Sequence, residues 1–514
     1  MDVNQRALSE IYHEETKYHE HRMQRFQRQI DWDAQPVPYK EYASERKISL
    51  LRYLPFHHSP LTGEPMTQIH DDGDDPLGLG VLSRLLYFTH GVTAVLQYAT
   101  GQVMRLRAAP TAGGLYPTEI YLATRGCAAL DDGIYNFQSK DHALVMAWEG
   151  DFWNAFDAYC LHHKAVAQSQ LLVIVTAVYQ RSVWRYQERA YRRILLDTGH
   201  VLGNLVLYAP REGFSPYPIG GFVDASLNRL LFFDEAVEGV LAVVALPQSD
   251  GLDPTVTPPR PSAASRRGEQ IADLPTLQRQ LHQASSILSE DPILSGDPIA
   301  SSEGGPDLAA LEGKYAAQEA IALPCVPLDL QEALDQTVLS RRSTRAFTGE
   351  ALFVDEIASL LGAAYLPCRT SPRQLFAPAL LETYLVVQKV IGLPAGTYYY
   401  APQGHTLRCL MAGDFRAQAW HFCLGQDLAK DAAVLVIHVA HLKTALDLYG
   451  DRAYRYLHLD AGLIGQRLNL AAIRRGLGVS GIGGFYDDEV NGLLGLSLDR
   501  IILYITTLGR PRTE

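Results

Sequence analysis

The sequence predicts an α+β chain of two fused domains, each an antiparallel-rich sheet flanked by helices, paired as an intramolecular pseudo-dimer. Three observations carry this expectation. Residues 186–222, "YQERAYRRILLDTGHVLGNLVLYAPREGFSPYPIGGF", align without a gap with 449–485, "YGDRAYRYLHLDAGLIGQRLNLAAIRRGLGVSGIGGF". The offset of 263 from Tyr186 to Tyr449 also carries Gly133 onto Gly396, Tyr135 onto Tyr398 and Glu119 onto Glu382. Each copy also arranges strand-length apolar runs around one long helical run, the sign of a repeated structural unit. A duplicated unit retains the self-complementary patch of a symmetric pair, and ligands favour such interfaces.

In each copy a helix comes first, at "VLSRLLYF" or "VDEIASLLGAAY". Strands follow at "EIYLAT", "GIYNF" and "LLVIVTAVY", matched by "TYLVVQ", "GTYYYA" and "AAVLVIHVA". A long apolar-faced helix, about 189–212 or 452–475, leads to "IGGF" and a last strand, "GVLAVVAL" or "RIILYITTLG". The predicted boundaries are an N-terminal arm over 1–60, copy one over 61–247, a linker over 248–324 and copy two over 325–514. The linker is rich in Pro, Ser, Gly and Asp, with one short helix at 274–289, a composition that cannot bury a core.

Composition narrows the function. Of 514 residues, 47% are apolar and 20% charged, as in ordinary globular proteins. The net charge of −12 and the lack of a basic run speak against nucleic acid. The polar start shows no signal peptide, and no apolar run is long enough for a bilayer, so a cytoplasmic protein is expected. Six cysteines without a CxxC suit a reducing compartment and give no reason to expect a metal. The histidines of "LHHK" (161–164) and "HVAH" (438–441) read as strand or loop residues.

Several stretches bear on chemistry. "SRRSTRAF" (340–347) offers Arg341, Ser343 and Arg345 as a phosphate grip, or else a Ser-capped helix start. Copy one has "MTQIH" there, without arginine. "APTAGGLYP" (109–117) does the reverse: Gly113 and Gly114 let backbone approach a flat ligand, while copy two has "PRQLFAPAL". "GLGVSGIGGF" (476–485) contains a formal GxGxxG, but it follows a helix, where the dinucleotide fingerprint must follow a strand. Its Gly483 and Gly484 remain as a glycine loop, repeated in copy one as "PIGGF". "TTLGRPR" places Arg510 after the last strand of copy two, where copy one has no arginine. Ahead of the long helices, Tyr186 matches Tyr449, with Arg185 opposite Leu448. A cation beside a phenol can shape proton transfer; the plainer reading is packing with helix ion pairs.

Together "RAAPTAGGLYPTEIYL", "RYQERAYRRILLDTGH", "RRSTRAF" and "GIGGF" resemble the FMN-dependent nitroreductase fold. More narrowly, with "IYHEETKYHEH" and "PVPYKEY" near the start, they resemble SagB-type dehydrogenases, flavoenzymes that oxidise thiazolines and oxazolines to thiazoles and oxazoles. The resemblance implies FMN bound by residues of both copies: Arg341, Ser343, Arg345, Gly483, Gly484 and Arg510 from copy two, and Pro110, Thr111, Ala112, Gly113 and Gly114 from copy one. It also implies a Lys-Tyr pair that abstracts the substrate proton. Here Arg185-Tyr186 and Leu448-Tyr449 stand in its place, and a guanidinium cannot act as the base. Tyr186 thereby becomes the leading candidate, with Arg185 as its electrostatic partner and Tyr449 as its counterpart.

The expected activity is FMN-dependent dehydrogenation of an azoline on a peptide or carrier-bound intermediate in natural-product biosynthesis, with molecular oxygen as acceptor. A further homodimer stays open, and neither nucleic acid nor membrane is expected as a partner. The alternatives are an NAD(P)H-dependent nitro or quinone reductase and a flavin-free scaffold that recruits a peptide or enzyme partner.

Overall fold

The computed structural model describes residues 6–25, 30–42, 46–69, 77–98, 101, 103–248, 276–288, 308–370 and 375–512. The chain forms two compact units. The first holds Trp32–Ser301 with Leu334–Leu339; the second holds Met1–Asp31, Ser302–Ala333 and Ser340–Glu514. They are called module one and module two below.

In module one a seven-stranded sheet runs in the order Lys47–Ser49, Ala143–Glu149, Gly133–Gln138, Thr118–Thr124, Leu171–Val178, Glu238–Ala245, Tyr217–Ile219. In module two the order is Ala320–Ala322, Thr406–Ala412, Gly396–Ala401, Leu381–Val387, Val434–His441, Arg500–Gly509, Gly478–Ile482. Every neighbouring pair in both sheets is antiparallel. Even the irregularities repeat at the same offset. The register shifts at Ile134/Tyr135 and at Thr397/Tyr398, and again at Val175/Thr176 and at His438/Val439. Bulges re-aim side chains, so their repetition extends the likeness from sequence to backbone.

The central strands are buried on both faces, which is why they read as unbroken apolar runs. One face packs on the long helix, Ala190–Tyr208 or Ala453–Arg474, itself buried along almost all its length. The other face carries an aromatic-rich core in which Tyr121, Cys160, Ile174 and Phe222 of module one match Tyr384, Cys423, Ile437 and Phe485 of module two. Burial pushes the thiols of Cys160 and Cys423 up, so both are packing groups.

The segments expected as arm and linker are divided differently. Lys47–Ser49, inside the expected arm, is an edge strand of sheet one, and Ala320–Ala322, inside the expected linker, is its counterpart in sheet two. The helix Thr276–Ala284 does lie within 274–289, yet it packs on module one, which precedes it. The helix Leu8–Glu15, which precedes module one, packs on module two. The contacts are equivalent. Glu188 accepts from the amides of Leu277 and Gln278, and Asp451, 263 positions later, accepts from that of Ser9. His282 meets Tyr191 Oη at 3.0 Å, and His13 meets Tyr454 Oη at 3.2 Å. The repeat thus includes its leading helix, and each leading helix serves the other half of the chain.

Candidate active site

In module one the stretch Ala112–Gly114 forms a single tight turn, with Gly113 at φ +68° and Gly114 at φ +72°. Left-handed backbone here favours glycine. A methyl group on Gly113 would lie 2.7 Å from Tyr186 Oη and 3.4 Å from Arg185 Cδ. The structure therefore brings Gly113, Tyr186 and Arg185 together. Arg193 lies over the Tyr186 ring at 4.0 Å, and Arg185 lies 5.8 Å from it and 5.5 Å from the Trp32 ring.

The loop is held from below by Asp197, on the long helix. Its carboxylate accepts from Thr111 Oγ1 at 2.5 Å and from the Ala112 amide at 3.1 Å, while Thr111 Oγ1 accepts from the Tyr116 amide. Burial pushes the Asp197 carboxyl up to about 7, against the pull of Thr111, Ala112 and Arg193. Farther on, Arg181 donates to the Tyr116 carbonyl at 2.9 Å and pairs with buried Glu119 at 2.6 Å. Pro110 enters this turn half-buried.

Module two keeps the support and changes what it supports. Asp460 accepts from the amides of Phe376 and Ala377 at 2.9 and 2.7 Å, and burial raises it, too, to about 7. Phe376, at the position of Gly113, stacks on Tyr456, which takes the place of Arg193. Tyr449 meets Tyr456 edge to face with ring centres 5.5 Å apart. Where module one sets a glycine and an arginine against its tyrosine, module two sets two rings.

In module two the segments expected to grip a phosphate are linked through their backbone. The Thr344 amide donates to the Val479 carbonyl at 2.8 Å, laying the Arg341–Arg345 loop along the strand that leads to Gly483 and Gly484. The Thr348 amide donates to the Arg510 carbonyl at 3.0 Å, which adds the C-terminal tail. Arg341 is buried, Ser343 half-buried and Arg345 exposed. One alternative fails: this loop follows the helix Leu334–Ser340, and the next helix starts only at Val354, so it is not a capped helix start. Arg510 forms a two-pronged ion pair with Glu356, both contacts 2.8 Å.

A cavity of about 670 Å³ lies elsewhere in module one, beside Tyr39, Lys40, Trp148, Phe233 and Glu238. None of the residues predicted for the site lines it, and the glycine loop is the better-founded candidate. Sequence reading missed Asp197 and Arg193, and it took Glu188 only as a helix ion-pair partner of Arg192, whereas its carboxylate accepts from the amides of Leu277 and Gln278. Asp197 had a visible signal, since the repeated "LD" aligns it with Asp460. Among the described residues, Glu14, His19 and Asp488 could approach a metal together; Lys17 pairs with two of them. No helix among the described residues is long and apolar enough to cross a membrane.

Comparison with known proteins matches the nitroreductase family model over residues 55–246 and 338–510. A Methanocaldococcus jannaschii protein described as a nitroreductase is 30% identical over 172 residues, 32% of this chain and 86% of that protein. TfxC, from the trifolitoxin operon of Rhizobium leguminosarum bv. trifolii, is 28% identical over 157 residues, 26% of this chain and 44% of that one. A crystal structure from Anabaena variabilis, described as a nitroreductase, is 41% identical with a TM-score of 0.84, covering 99% of this chain and 100% of its own.

Proposed function

The chain belongs to the nitroreductase family, and on that premise we propose that it is an FMN-dependent dehydrogenase acting on a thiazoline or oxazoline carried by a peptide or carrier protein. One observation carries the reading. Module one sets a left-handed glycine turn, exposed at Gly113, against Tyr186 and Arg193, where module two has the stacked rings of Phe376 and Tyr456. Such a turn leaves room for a flat ring and presents amides to it; Arg341, Ser343 and Arg345 are the donor types that suit a phosphate. In this proposal FMN is bound once per chain, by Pro110, Thr111, Ala112, Gly113 and Gly114 of module one and Arg341, Ser343, Arg345, Gly483, Gly484 and Arg510 of module two.

Bound FMN would supply the hydride acceptor, with molecular oxygen taking the electrons in the end. The chain's own task is to remove the acidic Cα proton. Tyr186 is the base in this reading, because the guanidiniums of Arg185 and Arg193 lie beside its ring and bring positive charge near the phenol. Tyr449, half-buried against the Tyr456 ring and pushed upward by burial, is left as a packing residue. Similarity to a protein of the trifolitoxin operon supports a natural-product substrate.

The test is reconstitution with FMN followed by anaerobic mixing with a thiazoline-containing peptide. Bleaching of the flavin band and loss of two hydrogens from the peptide are expected. A protein that binds no FMN overturns the reading and favours the scaffold. The likeness to proteins described as nitroreductases favours a second reading, in which NADPH reduces a nitro or quinone compound; steady NADPH oxidation with such an acceptor, and no action on the peptide, would select it.

A further inference from the structure

We propose that the helix Thr276–Ala284 clamps the turn carrying Tyr186, with Glu188 and His282 as positioning residues for that side chain. The proposal rests on Tyr186 as the reacting group and deepens that reading.

Tyr186 ends the helix Tyr179–Tyr186, and Gln187 follows it at φ +49°, ψ −133°. The matching residue in module two is Gly450, at φ +56°, ψ −154°. A side chain in this conformation is strained and persists only where its surroundings hold it. Module one supplies such a hold. Glu188 accepts from Leu277 and Gln278 at 3.3 and 2.9 Å, taking up two of the amides that a helix start leaves without intrahelical partners. One turn on, His282 meets Tyr179 Oη at 3.1 Å and Tyr191 Oη at 3.0 Å. Tyr179 opens the helix that Tyr186 closes, and Tyr191 is the second residue of the long helix. The clamp therefore holds the Tyr186 helix at its start and just beyond its end.

Its far end is fixed as well, since the Ile287 amide donates to Asp224 at 2.9 Å. In module two Leu442 stands at the place of Tyr179, while Asp451 takes the Ser9 amide and hydroxyl and His13 meets Tyr454, so the turn at Gly450 is held by the equivalent contacts. The contact from His282 to the start of the Tyr186 helix, through Tyr179, belongs to module one.

Hydrogen–deuterium exchange on the full chain tests this without substrate or flavin. Glu188→Ala should speed amide exchange over 183–190 at least tenfold and leave 446–453 as in wild type. Asp451→Ala should give the mirrored pattern. Glu188→Asp should restore protection, because an aspartate performs this task in module two. Unchanged exchange over 183–190, a failure of Glu188→Asp to rescue, or loosening of both modules together would overturn the clamp. A wrong flavin assignment would leave these results untouched. With thiazoline turnover in hand, Glu188→Ala should lower kcat about tenfold at constant KM; a loss confined to KM would overturn the positioning role.

Discussion

Gly113, Tyr186 and Arg193 in module one stand where Phe376, Tyr449 and Tyr456 stand in module two. Beneath both trios a buried aspartate holds the loop by its backbone amides. The buried support was kept twice and the glycine turn once. A loop's support and its purpose are thus separable: a carboxylate on a buried helix fixes the backbone, and one side chain decides whether the space above it is free.

The sharpest way to break this comparison is to write module two's residue into module one. Gly113→Phe places a side chain at left-handed φ, which costs roughly 1–2 kcal/mol, and adds overpacking of roughly 1–3 kcal/mol. FMN affinity, read by fluorescence titration, should fall about 1000-fold, roughly 4 kcal/mol. Phe376→Gly should leave FMN at one per chain; a second equivalent would show that the rings alone closed the other site.

Next in size, Phe376→Ala removes the ring stacked on Tyr456 and should lower the stability of module two by roughly 3 kcal/mol. Chemical denaturation should show the loss while the FMN content stays as before. A drop in FMN content would mean that module two's rings shape the cofactor site after all.

The shared aspartates give a pH prediction. Asp197 titrates at about 7 in the fold, above the ordinary carboxyl value of about 3.9, so the folded state binds the extra proton between these values. Its contribution to stability is therefore greatest at low pH and is lost as pH rises through this window. Asp197→Asn should match wild type near pH 4 and, in thermal melts at pH 8, exceed it by about 2–3 kcal/mol, after allowance for weaker hydrogen bonds. Asp460→Asn should do the same for module two. A wild-type advantage at pH 8 would show the carboxylates to be better compensated than their burial implies.

The smallest effect concerns Arg510. Glu356→Gln should loosen module two by only about 1 kcal/mol, since the pair is partly exposed. If Arg510 serves the FMN phosphate, the same change should tighten FMN binding severalfold. Weaker binding would instead make Glu356 the residue that aims the guanidinium.

Much of this architecture was legible in the chain. The gapless offset carried the duplication, because buried strands and a buried helix tolerate few insertions; the paired glycines carried their own turn, because other residues resist positive φ. Asp197 was overlooked because a carboxylate within a helical run looks like part of a solvated face until the fold buries it. The pairing of Glu188 with Leu277 and Gln278 was hidden because it crosses nearly ninety residues of chain. The segment's polar composition described its surroundings and missed the short apolar stripe through Leu281. Arg510 was read by position alone, and no pattern in the sequence announced Glu356 as its partner.

The crossed leading helices also set a timetable for synthesis. Leu8–Glu15 is made well before module two, and the aspartate that receives Ser9 is 442 residues downstream. At about 5–20 residues per second the wait is roughly 20–90 seconds. Throughout it the nascent helix carries Tyr12 and His13 toward a berth still to be translated, a natural point for a chaperone to intervene.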